Sequence, residues 1–325
     1  MKARAKQAPG GVFRNVARID QLHSAVLEGN RERLEEIIND RTTNSAVSKK
    51  LKAKGVTWET LLEDSVWSVQ EPTTCEQVVV KLFVDFPFHE ICGNVIATKL
   101  IDTAGPFFVR CFDVGRFTDT DANYFIIMEF IADDPESLDL GESIQMYNLF
   151  YQVAYATHHF SAACQLQHFD LRYDNIRVKL LPENKDFFRN GVKTNFLIKI
   201  GDWGQCEFNF GASRPVNEEI PRGDDQVEKW GIFPSNYSNY DFQYFLSTLT
   251  PTLDSLHGLS YYYIYNMILE FMQPVSFTSA QDRPVVITDK SSAHIVSYLK
   301  SKVLSSVTLL DDLDEGNKEN EKEDS

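Results

Sequence analysis

The chain has 325 residues, 43% of them hydrophobic and 12% aromatic, and carries a formal net charge of −15. That size and composition suit one large bilobal domain or two medium ones, and exclude a chain that is disordered throughout. A chain this acidic is ill suited to a broad basic surface, so no nucleic-acid partner is expected.

In chain order, residues 1–14 read as a basic, disordered arm. Over 17–41, Ile19, Leu22, Val26, Leu34, Ile37 and Ile38 recur at helical spacing and predict an accessory helix or two. The basic stretch KKLKAKG (49–55) reads as a linker and closes an N-terminal extension over 1–55. From 56 to 131 the pattern changes. VWSV (66–69), VVVKLF (78–83), FFVRCFDV (107–114) and YFIIMEF (124–130) are β-branched and aromatic runs bounded by polar turns, and predict strands. Between the second and third, HEICGNVIATKLI (89–101) predicts a helix with Ile91, Val95, Ile96 and Leu100 on one face.

From 132 to 310 the predicted structure is mainly helical, over 143–167, 240–249, 259–272 and 291–307. Two short strands interrupt it, IRVKLL (176–181) and FLIKI (196–200). The stretch between them, PENKDFFRNGVKTN (182–195), reads as a surface loop. Residues 311–325 form an acidic, low-complexity run and predict a disordered tail. The fold class expected is therefore α+β, a small β-rich part followed by a larger helical one. Cys75, Cys92, Cys111, Cys164 and Cys206 are odd in number and include no CxxC pair, which argues against a zinc site or a disulfide framework. Reduced thiols in an intracellular protein are expected. The N-terminus lacks the apolar segment of a secretory signal, and no apolar run approaches the roughly eighteen residues of a membrane span.

The stretch HFDLRYDN (168–175) concentrates the polar chemistry. It lies between a long predicted helix and a short strand, and the next strand ends in IKIGDWGQC (198–206). Asp170 precedes one strand, Asp202 follows the other, and Asn175 lies five residues beyond Asp170. Asn and Asp oxygens are hard ligands that suit Mg²⁺, which takes few protein ligands and keeps waters or phosphates for the rest. With Asn175 and Asp202 as ligands, Asp170 is left to accept a proton, and Arg172 to hold a phosphate.

These two motifs resemble the catalytic loop H-R-D-L-K-x-x-N and the D-F-G of eukaryotic-type Ser/Thr protein kinases. Other signals follow in the same order. VVVK resembles the strand of the ATP-binding lysine, here Lys81. HEI opens the helix of its ion-pair partner, here Glu90, with Asp85 as a rival. IIMEF resembles the hinge strand, with Met128 as gatekeeper and Glu129 to Ile131 presenting backbone groups to adenine. Asp241 in NYDFQYFLSTL resembles the aspartate that braces the catalytic loop, and His168 a residue packed beneath it. The resemblance covers about 56–305. It implies a bilobal kinase fold with an N-lobe over 56–131 and a C-lobe over 132–310. It also implies ATP and Mg²⁺ as cofactors and a protein substrate bearing Ser or Thr. Asp170 would be the base, Asn175 and Asp202 the metal ligands, and Lys81 the phosphate-binding lysine. Arg172 would stand where the family has lysine, a planar fork instead of a point charge.

The chain departs from the family in four places. LEDSVWSV (62–69), where the Gly-rich loop belongs, has no glycine to let backbone N–H groups approach phosphates. Phe169 replaces the arginine that pairs with an activation-loop phosphate, so control by such a phosphate is not expected. Trp203 replaces the phenylalanine of D-F-G. No A-P-E follows residue 205. The missing glycines and A-P-E leave a nucleotide- or partner-binding pseudokinase scaffold as an alternative. Trp203 echoes the IDW of aminoglycoside- and choline-type kinases, which leaves a small-molecule kinase as another, although those often have histidine where this chain has Arg172. The same departures and the compact size are similar to kinases of large DNA viruses and to haspin-like outliers.

Overall fold

Asparagine and glycine punctuate the first two helices. Asn15 caps α1 (Val16–Glu28) by accepting the Arg18 N–H, and Gly29 ends it in the left-handed region at φ +68°. Asn30 then caps α2 (Arg31–Ile38) by accepting the Arg33 N–H. Side-chain caps of this kind contribute about 1 kcal/mol each, and glycine adopts the left-handed turn without a Cβ penalty. A computed structural model of the chain describes residues 14–39, 66–70, 76–117, 124–133, 138, 143–186, 193–220, 240–253, 273–274, 286–287 and 293–302. Most of the basic arm, the linker, residues 62–65, the 259–272 stretch and the acidic tail lie outside the described residues.

The chain divides into two compact units. The first comprises 1–103, 108–131 and 201–217; the second comprises 104–107, 132–200 and 218–325. The N-terminal helices therefore belong to the first unit, as does the stretch that follows the second short strand.

The first unit is built on a four-stranded antiparallel sheet, ordered β1 (Val66–Gln70), β2 (Gln77–Phe83), β4 (Tyr124–Glu129), β3 (Cys111–Arg116). Period-two alternation sorts β2. Val78, Val80 and Leu82 pack into a core with Val69, Phe112, Phe117, Phe125 and Ile127, while Lys81 points to the opposite face. The register sets Lys81 beside Val66 on one side and Ile126 on the other. Helix α3 (Phe88–Ala104) follows β2 and buries Ile91, Val95 and Ile96. The predicted strand at 107–114 begins later, at Cys111. The Phe107 carbonyl accepts the Ile200 N–H at 2.8 Å, which makes Phe107 part of the second unit.

In the second unit, α4 (Ser143–Ala162) packs against the hairpin of β5 (Ile176–Asp186) and β6 (Lys193–Ile200). A buried glutamine joins them: Gln152 Oε1 accepts the Ile198 N–H at 3.0 Å, and its Nε2 donates to the Phe196 carbonyl at 3.2 Å. The helix stops at Ala162, five residues short of the predicted end. The expected surface loop at 182–195 is in part strand. After an irregularity between Leu180 and Lys185, Lys185 and Asp186 pair with Thr194 and Lys193 and lengthen the hairpin. Helix α5 (Tyr240–Leu253) meets α4 through Phe150 and Phe245, whose rings are 6.1 Å apart. Two-residue strands β7 (Gln273–Pro274) and β8 (Val286–Ile287) and a helix over 293–302 complete the described chain. The architecture is mixed α+β. No helix among the described residues is long and apolar enough to cross a membrane.

Candidate functional site

Two groups of side chains gather the residues singled out by sequence, one group in each unit. In the first unit the Lys81 ammonium lies 2.9 Å from Glu90 Oε1 and 2.7 Å from Asp202 Oδ1. Lys81 comes from the middle of β2, and Glu90 from the first turn of α3, where a carboxylate is favoured by the helix dipole. Glu90, and not Asp85, is therefore the lysine's helix partner. Asn94, one turn along, donates to the Glu90 carbonyl at 2.9 Å. Burial by itself pulls the Lys81 pKa down, but the Glu90 and Asp202 carboxylates outweigh it and the net shift is upward. Glu90 is 4% exposed, whereas the Asp202 side chain is 48% exposed. Asp202 also has φ +59°, a left-handed conformation rare for a non-glycine residue.

The residues after Asp202 are tied down internally. Trp203 is fully buried, and a Cβ added to Gly93 of α3 would come within 2.6 Å of Trp203 Cβ. The Cys206 thiol donates to the His89 carbonyl at 3.2 Å, and the Cys206 carbonyl accepts from His89 Nδ1 at 2.9 Å. Glu207, also buried, pairs with Arg214 at 3.3 Å and accepts the Asn217 N–H, while the Asn217 side chain donates to the Gly204 and Cys206 carbonyls. Sequence reasoning singled out neither Gly93 nor the Glu207–Arg214–Asn217 set. A lone glycine in a helical run and an acid among aromatics carry no spacing signal.

Met128 lies in β4 opposite Val79, nearly buried. The Glu129 N–H is taken by the Arg110 carbonyl at 2.8 Å, so of the two outer expected hinge groups, only the Ile131 N–H lacks a partner among the described residues.

In the second unit, HFDLRYDN is a tight polar turn suspended from α5. The Asp241 carboxylate accepts the His168 N–H at 2.9 Å and the Phe169 N–H at 2.8 Å. These two charge-assisted bonds hold Phe169 at φ +60°. The Phe169 ring is buried with Ile220, Tyr240 and Tyr244. His168 is fully buried, and its Nδ1 accepts the Asp170 N–H at 3.3 Å. Around the Asp170 carboxylate, Asn175 Nδ2 donates to Oδ2 at 3.0 Å, and Arg172 Nε lies 3.2 Å from Oδ1. The Tyr244 hydroxyl lies 3.5 Å from Oδ1; burial and the Asp170 carboxylate push its phenol well above the usual range. Asp170, Arg172 and Asn175 are thus brought together, with Arg172 on Asp170 itself.

Asn175 and Asp202, one in each unit, carry side-chain oxygens of the hard type that Mg²⁺ takes. Asn175 spends its amide N–H on Asp170, and its Oδ1 has no hydrogen-bond partner among the described residues; Asp202 is half exposed. Asn175 immediately precedes β5, and Asp202 follows β6 by two residues. Among the described residues no group of three or more His, Cys, Asp or Glu side chains is gathered around one point. No protein-family model matches the chain, and no curated protein matches it.

Proposed function

We propose that the chain is a divergent protein kinase with the bilobal kinase fold, transferring the γ-phosphate of ATP to a Ser or Thr hydroxyl of a protein substrate. The observation that carries this reading is the Lys81 ammonium shared between Glu90 and Asp202, a strand lysine, a helix carboxylate and a loop carboxylate drawn from three separated motifs. A paired, still charged lysine suits anionic phosphates, and phosphoryl transfer asks a protein mainly for positioning and charge stabilisation. The turn at 168–175 supports the reading from its own side, because Asn175 orients the one carboxylate placed to accept a proton.

On this reading Lys81 binds the α- and β-phosphates and Glu90 holds it in place. Asp170 takes the proton of the acceptor hydroxyl as that oxygen bonds to the γ-phosphorus and the bond to the β–γ bridging oxygen breaks, releasing ADP. Arg172 moves from Asp170 to the γ-phosphoryl oxygens. Asn175 and Asp202 would hold Mg²⁺, which supplies charge neutralisation on the phosphates. Met128 and the Ile131 N–H would face adenine. The aromatic anchoring of Phe169 and the internal fastening around Glu207 support activity without an activation-loop phosphate.

The test is transfer of label from γ-labelled ATP with Mg²⁺ to casein or a basic protein, beside Asp170→Ala and Asp202→Ala. Labelling by the wild type and loss in both variants is expected; equal labelling by all three would sink the assignment. A second reading, a nucleotide-binding scaffold, is favoured by β1, whose VWSVQ strand beside Lys81 has no glycine. It predicts a thermal shift with ATP and Mg²⁺ but no transfer. A small-molecule kinase predicts transfer to an aminoglycoside or choline and none to protein.

A further inference from the structure

The sequence sets α1 and α2 apart as an accessory extension, yet they are fastened to β3, to α3, which carries Glu90, and to the segment that follows Asp202. At β3, the buried Arg18 guanidinium donates to Asp113 Oδ1 at 3.2 Å and to the Val114 carbonyl at 3.1 Å, with Asp113 itself fully buried. A buried pair of this kind is costly to break, because either partner alone is left as an uncompensated charge. At the start of α3, the Arg31 guanidinium lies over the rings of Phe86 and Phe88, 5.4 and 5.0 Å from their centres. Farther along α3, Lys99 pairs with Asp20 at 2.9 Å.

The contact with the segment after Asp202 is closer still. The Gly211 N–H donates to the Val26 carbonyl at 3.2 Å, and a Cβ on Gly211 would stand 2.9 Å from Gly29 Cα. Both glycines have positive φ, so two backbones meet where neither tolerates a side chain. Phe88 of α3 packs edge-on against Phe210 at 5.2 Å, which closes the ring of contacts.

We propose that α1–α2 is a built-in positioning element: it clamps α3 and the 203–211 segment to each other and thereby fixes Glu90 and Asp202 around Lys81. Arg31 and the Gly29–Gly211 contact are its positioning residues. The proposal concerns the ion-pair set itself and stands apart from the phosphotransfer reading.

The experiment uses the full chain, with Gly211→Ala and Arg31→Ala compared with the control Arg33→Ala. Arg33 pairs with Glu28 inside the helix pair. Amide exchange is followed by mass spectrometry, and the rate at which an amine-acylating reagent modifies Lys81 is read from the same samples. In Gly211→Ala, exchange over 88–104 and acylation of Lys81 are expected to rise about tenfold, with β5 and β6 unchanged. Arg31→Ala is expected to give about a threefold rise, in keeping with the loss of an exposed cation–π contact. Arg33→Ala should match the wild type. Should Gly211→Ala unfold globally, exposing β5 and β6 as well, Arg31→Ala decides. Faster exchange in α1 and α2 with unchanged α3 and Lys81 would overturn the proposal. ATP affinity measured alongside separates the two readings: a wild type that binds no nucleotide would remove the kinase assignment and leave the clamp intact.

Discussion

Gly93→Ala probes the closest approach that any described glycine would meet with a Cβ. The added methyl would sit 2.6 Å from Trp203 Cβ, 2.7 Å from Cys206 Sγ and 3.1 Å from Trp203 Cγ. Carbon atoms in contact prefer about 3.5–4.0 Å, so helix and segment must part by about 1 Å. The Trp203 atoms are the stem of a fully buried side chain and cannot swing aside. Overpacking of this kind costs about 1–3 kcal/mol, and replacing a mid-helix glycine by alanine returns about 1 kcal/mol, leaving a net loss of about 0–2 kcal/mol. The effect on the ion pair should be larger than the effect on stability. A 1 Å retreat of α3 lengthens the 2.9 Å Lys81–Glu90 contact towards the limit of a salt bridge. Urea unfolding should therefore show a small loss, while acylation of Lys81 rises and any ATP-induced thermal shift shrinks. A variant about 1 kcal/mol more stable than wild type, with Lys81 labelling unchanged, would show that the helix is not held so closely and would refute the reasoning.

Asp241→Ala should destabilise the second unit by about 3 kcal/mol or more, because two buried N–H groups lose a charged acceptor; Asp241→Asn, with one oxygen left, should fall between. Urea denaturation followed by tryptophan or circular-dichroism signals measures both. At Phe169, glycine should be no worse than alanine, although both lose the buried ring at about 3–5 kcal/mol. The residue sits at φ +60°, where alanine carries a left-handed penalty of about 1–2 kcal/mol that glycine escapes; alanine more stable than glycine would contradict that conformation. Burial raises the thiol pKa of Cys92 and Cys111, so both should resist iodoacetamide at pH 8 while the half-exposed Cys164, raised less far, is alkylated slowly. Since an unfolded thiol ionises near pH 8.5 and these remain protonated above that, stability should decline as pH rises past about 8.5. Mass spectrometry of alkylated sites and urea midpoints at pH 7.5 and 9.5 test the two statements.

The strands and the helix that place Lys81 and Glu90 were legible because their signal is local. Val78, Val80 and Leu82 alternate, and α3 repeats its apolar residues at helical spacing. The chain end of β3 was not, because Phe107 and Phe108 are equally apolar although they serve different units. The stretch at 182–195 reads in the sequence as a loop inserted between two short strands, yet Lys185 and Asp186 pair with Thr194 and Lys193 and carry the hairpin further. At the site, the spacing of Asp170 and Asn175 marked the turn as polar chemistry, and the two side chains are hydrogen-bonded at 3.0 Å. The left-handed backbones of Phe169 and Asp202 had no such signal. Phenylalanine and aspartate do not announce a positive φ; the Phe169 N–H bond to Asp241 and the Lys81 bond to Asp202 are made in those conformations. Arg172 was expected to await a phosphate and instead lies on Asp170.

The Glu207 network also bears on binding thermodynamics. A segment that becomes ordered only when its ligand arrives loses about 1–2 kcal/mol of backbone entropy per residue at that moment. Residues 204–217 are already gathered around one internal carboxylate, with Arg214 and Asn217 closing the loop. On the proposed kinase reading, nucleotide association at Asp202 should therefore carry little of that penalty and involve no slow ordering step. Calorimetry should register a small heat-capacity change on binding, and stopped-flow traces a single phase without a lag.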